Sequence, residues 1–459
     1  MSAERTWLVG GLSSLHDPLL AAALKAGGTR AEALHPRTDA GLRRARALGN
    51  HGQCNPAHYT VGAVLEHARC SGVEPSVFAG RHGWLTAGSC GPCRLAAFGF
   101  EYARVLAGAG LDQLPVARVE PLALLEGRVP SARPAAANAL LLAVAAGDAL
   151  TALGHTLRPY AVDPRDVDAL LASSVRELAE ALQRRASLVP ALRRVRAAAR
   201  EVACDPARVL PRVLLVGEPW TTLSDGDPSY DLARRLGALG VEVETPLACD
   251  WLHYRIWEEQ RDARAGPGGP EVEARVRALR RAERRLRALW RYVADAVGLG
   301  PARRPDPEQL ATLAGAHYDP DVRGGSAHLE VGRALQADRD RTAHLVLSLK
   351  PFGCLPSSDV SDGILSVLLR GRPRLRFLAL ETCGDADTTA ESRVEMAIHA
   401  AALAATDELD AVRRARSLSP SDAERELAIR SPWPTGPAGP RTFACTAAEA
   451  LWRAGSTGP

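Results

Sequence analysis

Three short segments combine cysteine with glycine and proline: His51-Gly-Gln-Cys54-Asn-Pro, Thr86-Ala-Gly-Ser-Cys90-Gly-Pro-Cys93-Arg and Lys350-Pro-Phe-Gly-Cys354-Leu-Pro-Ser-Ser. Gly lets backbone approach a sulfur closely, and Pro stops a helix from consuming the N–H groups around it. The Cys90/Cys93 pair alone is compatible with an iron–sulfur site, half a zinc site, a redox disulfide or two unliganded thiols. Cys54 or Cys354 alone reads as a buried apolar thiol. Together, soft ligands on three separated loops fit iron–sulfur or zinc chemistry. Cys70, Cys204, Cys249 and Cys445 lack such loops, and Cys383 is ambiguous.

Elements must bring these loops together. Apolar runs at Trp7-Leu-Val, Trp84-Leu-Thr-Ala, Arg212-Val-Leu-Leu-Val, Val241-Glu-Val-Glu, His344-Leu-Val-Leu-Ser-Leu and Leu375-Arg-Phe-Leu-Ala-Leu alternate with helical patterns. That rhythm predicts an α/β protein built on parallel sheets. Strand signals vanish between Arg128 and about Pro206, which divides the chain into an α/β unit over 1–127, a helical connecting segment over 128–206 and a second α/β unit over 207–459. A helix is expected from about Glu271 to Ala296, loops at Ala265 to Pro270 and Ser431 to Pro440, and a short final helix.

Each cysteine segment is placed between a strand or loop and a helix. Cys54 precedes a helix expected near Thr60. Cys93 lies between the Trp84 strand and a helix through Tyr102, and Cys354 precedes a helix that Ser358 or Asp359 caps. Ligands bind at the carboxyl ends of strands in open α/β sheets. Free N–H groups at helix starts lower a thiol's pKa and stabilise a thiolate-bound anion.

The 459 residues are 46% hydrophobic and 24% charged, an ordinary globular balance, and the net charge of +4 is dispersed among alternating acids and bases. A nucleic-acid partner is not implied. The start of the chain has no basic and apolar leader pattern. The most apolar stretch, around Ala135 to Ala149, is interrupted by Asn138 and Asp148 and falls short of the roughly 20 residues that span a bilayer. It reads as a buried helix. Nine cysteines, an odd number, favour thiols or metal ligands in the cytoplasm over a disulfide framework.

Further segments join these: Arg158-Pro-Tyr, Gly217-Glu-Pro-Trp, His317-Tyr, Arg323-Gly-Gly, His328-Leu-Glu-Val-Gly, Ser361-Asp-Gly, Glu381-Thr-Cys-Gly-Asp and Ser392-Arg-Val. With the cysteine segments they run collinearly from about Gly49 to Ala400. As a set they resemble the 2-hydroxyacyl-CoA dehydratase family, and more narrowly its branch related to the activases of those dehydratases. The resemblance implies two Rossmann- or flavodoxin-like parallel-sheet lobes with a cluster of the 4Fe-4S type between them. It implies Cys54, Cys93 and Cys354 as ligands, with Cys90 a fourth ligand or a nearby thiol. It also implies a separate activase, an actin-like ATPase with its own cluster, which supplies a low-potential electron for dehydration or reduction of a CoA thioester or another small molecule.

The sequence departs from the family pattern at Leu95, Pro219, Ser326, Ala327 and Cys383, which spares the thiols and touches the substrate side. No actin-like phosphate motif stands near the start of the chain. Among other polar residues, Glu218 at a strand end and His328 are candidate acid/base groups. Arg94 and His51 are candidate substrate contacts, His58 is a candidate proton donor, and Asp385 and Asp387 read as turn acceptors. The alternatives to an enzyme are a noncatalytic electron carrier or cluster scaffold in a larger assembly, or a zinc-stabilised structural protein.

Overall fold

The computed structural model describes residues 5–34, 36–88, 93–126, 128–129, 136–299, 304–319, 321–322, 325–372, 374–384, 388–429 and 441–456. Cys90, Arg323, Asp385, Asp387 and the Ser431 to Pro440 stretch lie outside them.

The chain is mixed α/β. Strands β1 (Thr6–Val9), β2 (Ala31–Ala33), β3 (His82–Ala87) and β4 (Val116–Val119) form one sheet in the order β2-β1-β3-β4. Strands β5 (Arg212–Gly217), β6 (Glu242–Glu244), β7 (Leu345–Pro351) and β8 (Arg376–Thr382) form another in the order β6-β5-β7-β8. Every pairing is parallel. In both sheets the chain winds outward to one side, then returns to the other, so the crossover reverses between the two central strands. Such a reversal opens a crevice at the carboxyl ends of those strands.

Sequence pattern explains the central strands. Val-Leu-Leu-Val in β5 and Leu-Val-Leu-Ser-Leu in β7 are buried on both faces, as a parallel sheet covered by helices requires. Leu214 and Val346 face one apolar cluster, and Val213, Leu215, Leu345 and Leu347 face another. Gly217 ends β5 at a φ of +126°, and a Cβ there would fall onto the Leu349 carbonyl oxygen of β7. Only glycine fits that approach.

All six expected strands are present. The two additional ones, β2 and β4, carry weak signals: Ala-Glu-Ala and Val-Ala-Arg-Val are short, lie at sheet edges and include polar residues.

Helices Ala136–Leu157, Pro164–Gln183 and Val189–Arg200 fill most of the stretch without strands. Together with Asp17–Ala26 and parts of Ala248–Ala265 and Pro270–Val297, they form the largest apolar cluster. The helix expected from Glu271 to Ala296 is the last of these. Ala136–Leu157 is longer than its sequence suggested, because Asn138 and Asp148 do not interrupt it. By length and composition it could cross a membrane, yet 72% of its most apolar window is buried within the protein. Asp148 is accommodated by a complete set of partners: it accepts from the N–H groups of Ala248 and Cys249 at 2.9 and 2.8 Å and contacts His16 Nε2 at 3.1 Å.

Candidate metal centre

Cys54, Cys93 and Cys354 occupy the same local position: each is the N-cap of the helical segment that follows it, with extended backbone. Cys54 opens Asn55–Cys70, so this helix starts five residues earlier than expected. Cys93 follows β3 and opens the turn Arg94–Ala97. Cys354 follows β7 and opens Leu355–Asp362, so the cap is the cysteine itself and Ser358 lies within the segment. Proline at the first turn after Cys54 and Cys354 fixes φ where no N–H is needed.

The three segments meet. Arg94, adjacent to Cys93, donates from Nη1 to the Gly52 carbonyl at 2.9 Å, and the same nitrogen lies 3.9 Å from where a Cβ on Gly353 would stand. One guanidinium therefore sits between the Cys54 and Cys354 loops. Asn55 Nδ2 donates to the Thr382 carbonyl at the end of β8 at 2.7 Å, and Arg46 donates to both Asn55 Oδ1 and the Cys383 carbonyl. Gly49 is cradled by Glu101 and His58, and Glu101 accepts the Asn50 N–H, which holds the approach to Cys54.

Burial dominates the electrostatics. The Cys54 thiol is pushed up to about 12, first by burial and then by the charge of Glu218 and the neighbouring Cys93. Cys93 and Cys354 are raised as well, mainly by burial, with Glu218 adding to both and the N–H groups of Leu95 and Ser357 opposing. The lowering expected from helix starts is outweighed: a buried thiolate loses its hydration and faces a carboxylate. A metal that binds there must displace the thiol protons.

Glu218 lies at the end of β5 and faces all three thiols. Its oxygens accept from the Trp220 and Thr221 N–H groups at 3.0 and 2.8 Å and from the Thr221 hydroxyl at 2.9 Å, so it caps the short helix Pro219–Leu223. His328 is buried among Tyr254, Trp257 and Tyr318, with Nδ1 at 3.0 Å from the Tyr254 hydroxyl. His51 is exposed on the turn before Cys54, and His58 is buried beside Glu101.

Two groups at this centre were not singled out by sequence. Glu330 is buried; its Oε1 accepts from Ser326 and Ser357 at 3.0 and 2.8 Å, while Oε2 has no hydrogen-bond partner among the described residues. Burial raises its carboxyl despite these hydroxyls and the charge of Lys350. Lys350, in β7, is the second group. A cavity of ≈ 30 Å³ adjoins Glu330, between Gly217, Leu247, Arg304, Ser326 and Arg333. That is room for about two waters, and none of the three thiols lines it.

The donor set fits an iron–sulfur group in kind: three soft thiols on Gly/Pro loops, each at a helix start. No group of three or more His, Cys, Asp or Glu side chains among the described residues is arranged to hold a single metal ion. A cluster spreads its thiolates more widely than one zinc ion with bonds of about 2.3 Å. Among the remaining cysteines, Cys70 is exposed, Cys249 and Cys445 are buried in apolar clusters, and Cys204 lies at the bridge with Ala161. No protein-family model matches the chain, and no curated protein matches it.

Proposed function

We propose that the chain is an iron–sulfur redox protein of 2-hydroxyacyl-CoA dehydratase type, with a 4Fe-4S cluster held by Cys54, Cys93 and Cys354 between two flavodoxin-like lobes. The observation that carries this is the meeting of three N-cap cysteine segments around Arg94 and Glu218. A bound cluster would supply one-electron transfer and an iron able to take a substrate oxygen. The chain's own residues exclude water from two of the thiols, hold the loops in register through Arg94 and Asn55, and place the carboxyl of Glu330 behind Cys354. An ATP-dependent activase as electron donor rests on the sequence resemblance. It is supported by exposed apolar side chains next to the thiols, Phe352 and Leu355 flanking Cys354 and Phe100 beyond Cys93, which suit a docking partner.

A noncatalytic electron carrier is the second reading, favoured by the exposed apolar side chains Phe352 and Leu355 beside Cys354, which suit docking of a redox partner. Anaerobic reconstitution with iron and sulfide tests the shared premise. Wild-type chain should retain iron with acid-labile sulfide, and C93S and C354S should lose most of it, since a hard hydroxyl replaces a soft thiolate poorly. Equal iron in all three proteins would overturn the assignment.

A further inference from the structure

The chain contains 57 basic residues, of which only Lys25 and Lys350 are lysines. One of these two lies within the candidate centre. Lys350 is 0% exposed, and among the described residues no other basic side chain is buried as completely. Its Nζ pairs with Asp362 and donates to the Ser348 hydroxyl at 3.1 Å. Its charge also acts on Glu330, Glu381 and Cys354. Burial of an ammonium is costly unless the charge is used or paired. In a protein that meets nearly all of its need for positive charge with arginine, lysine here brings a compact point charge with three donors, two of its partners being Asp362 and Ser348.

We propose that Lys350 is the buried counter-charge of the centre, a positioning residue that stabilises added negative charge beside Cys354 and so sets the reduction potential there. The inference rests on the reading of that centre as an iron–sulfur site. Four acids, Glu218, Glu330, Asp362 and Glu381, converge on this side of the sheet; of the arginines nearby, Arg94 lies at the exposed rim, Arg46 is held by Asn55 and the Cys383 carbonyl, and Arg304 and Arg333 stand across the cavity beside Glu330. An incoming electron meets repulsion from each carboxylate in its ionised form, and Lys350, fully buried on the strand that leads into Cys354, is placed to offset it. Asp362 moderates that effect by pairing with the ammonium.

The geometry predicts opposite responses from the two partners. Wild-type, K350M and D362N proteins are reconstituted anaerobically with iron and sulfide. Iron content, thermal melting and the midpoint potential from a titration followed by electron paramagnetic resonance are then recorded. K350M should move the midpoint to more negative potential by at least tenfold in the ratio of reduced to oxidised form, about 59 mV for one electron. D362N, which leaves the ammonium less neutralised, should move it in the positive direction. A merely structural pair would lower the melting temperature of both variants and shift the midpoint in neither, or shift both alike. Either result overturns the proposal. K350Q replaces K350M if the latter does not fold. Wild-type protein that retains no iron would overturn the iron–sulfur reading itself, an outcome distinct from iron retained with an unmoved midpoint.

Discussion

At Cys54, Cys93 and Cys354 the same device recurs: a thiol in the N-cap place of a helical segment, after a loop rich in Gly or Pro. Cys445 offers the contrast. It is fully buried in an apolar cluster with Leu427 and Leu451, away from these loops. C445S should leave reconstituted iron unchanged while lowering stability by about 1–2 kcal/mol, because a buried hydroxyl is costlier than a thiol; iron assay and denaturant unfolding read the two effects separately. The three cysteines were legible because Gly and Pro punctuate their surroundings. Glu330 and Lys350 were not. Each sits in a largely apolar run, Ala-His-Leu-Glu-Val and Leu-Ser-Leu-Lys-Pro, and its meaning comes from partners on other elements such as Ser357 and Asp362. Glu218 was legible as a strand-end carboxylate, but its capping bonds to Trp220 and Thr221 depend on a turn that sequence does not specify.

Strands β5 and β7 lead into Glu218 and Cys354, and the helix Ala136–Leu157 runs through the largest apolar cluster. G217A should cost roughly 3 kcal/mol, since the added Cβ meets the Leu349 carbonyl and the backbone stands at positive φ. Urea unfolding measures this, and a stability equal to wild type would mean that β5 does not approach β7 so closely. In the long helix, burial alone would raise the Asp148 carboxyl, but His16 and the Cys249 N–H hold it below its ordinary value of 3.8, with Arg304 also facing it. A carboxylate lowered on folding contributes stability that is full above its ordinary value and lost as pH falls through its folded value. D148N should therefore cost about 3 kcal/mol near neutrality, by leaving two N–H groups poorly paired, and should flatten the loss of stability in acid. His155 on the same helix is lowered from 6.5 to about 3, mainly by burial and then by the charge of Arg158. Its unfolded form takes up a proton that the folded form refuses, so stability falls as pH drops below 6.5, and H155Q should reduce that slope between pH 6.5 and 3. The central strands β3, β5 and β7 were readable because both of their faces are covered, and the edge strand β6 from the alternation in Val241-Glu-Val-Glu. Strands β2 and β4 were not, because Ala-Glu-Ala and Val-Ala-Arg-Val are short and interrupt their apolar residues with alanine and charge. The full length of Ala136–Leu157 was hidden by Asp148, whose partners lie 100 or more residues away.

Across the molecule, two sheets with the same strand order present their carboxyl ends toward one set of loops: Cys93 follows β3, Glu218 follows β5, Cys354 follows β7 and Cys383 follows β8. Ser14, Arg37 and Asp39 near the first sheet bond to Asp225 and Asp227 after β5, so the two halves are tied on this side. Gly384, at a φ of +83°, fits against Leu42 where a larger residue would clash. The candidate centre needs that joint, since neither half supplies all three thiols. If a partner docks over the exposed Phe352 and Leu355, then F352S combined with L355S should slow ATP-dependent reduction by a cognate activase several-fold while leaving iron content unchanged, and the isolated chain should hydrolyse no ATP. The most direct measurement is electron paramagnetic resonance of the anaerobically reconstituted wild-type chain after low-potential reduction, with iron and sulfide assayed on the same sample. A cluster on these thiols should give a reduced iron–sulfur signal that is absent from C93S and C354S; a chain that stays free of iron and sulfide, or a signal unchanged in both variants, would contradict it.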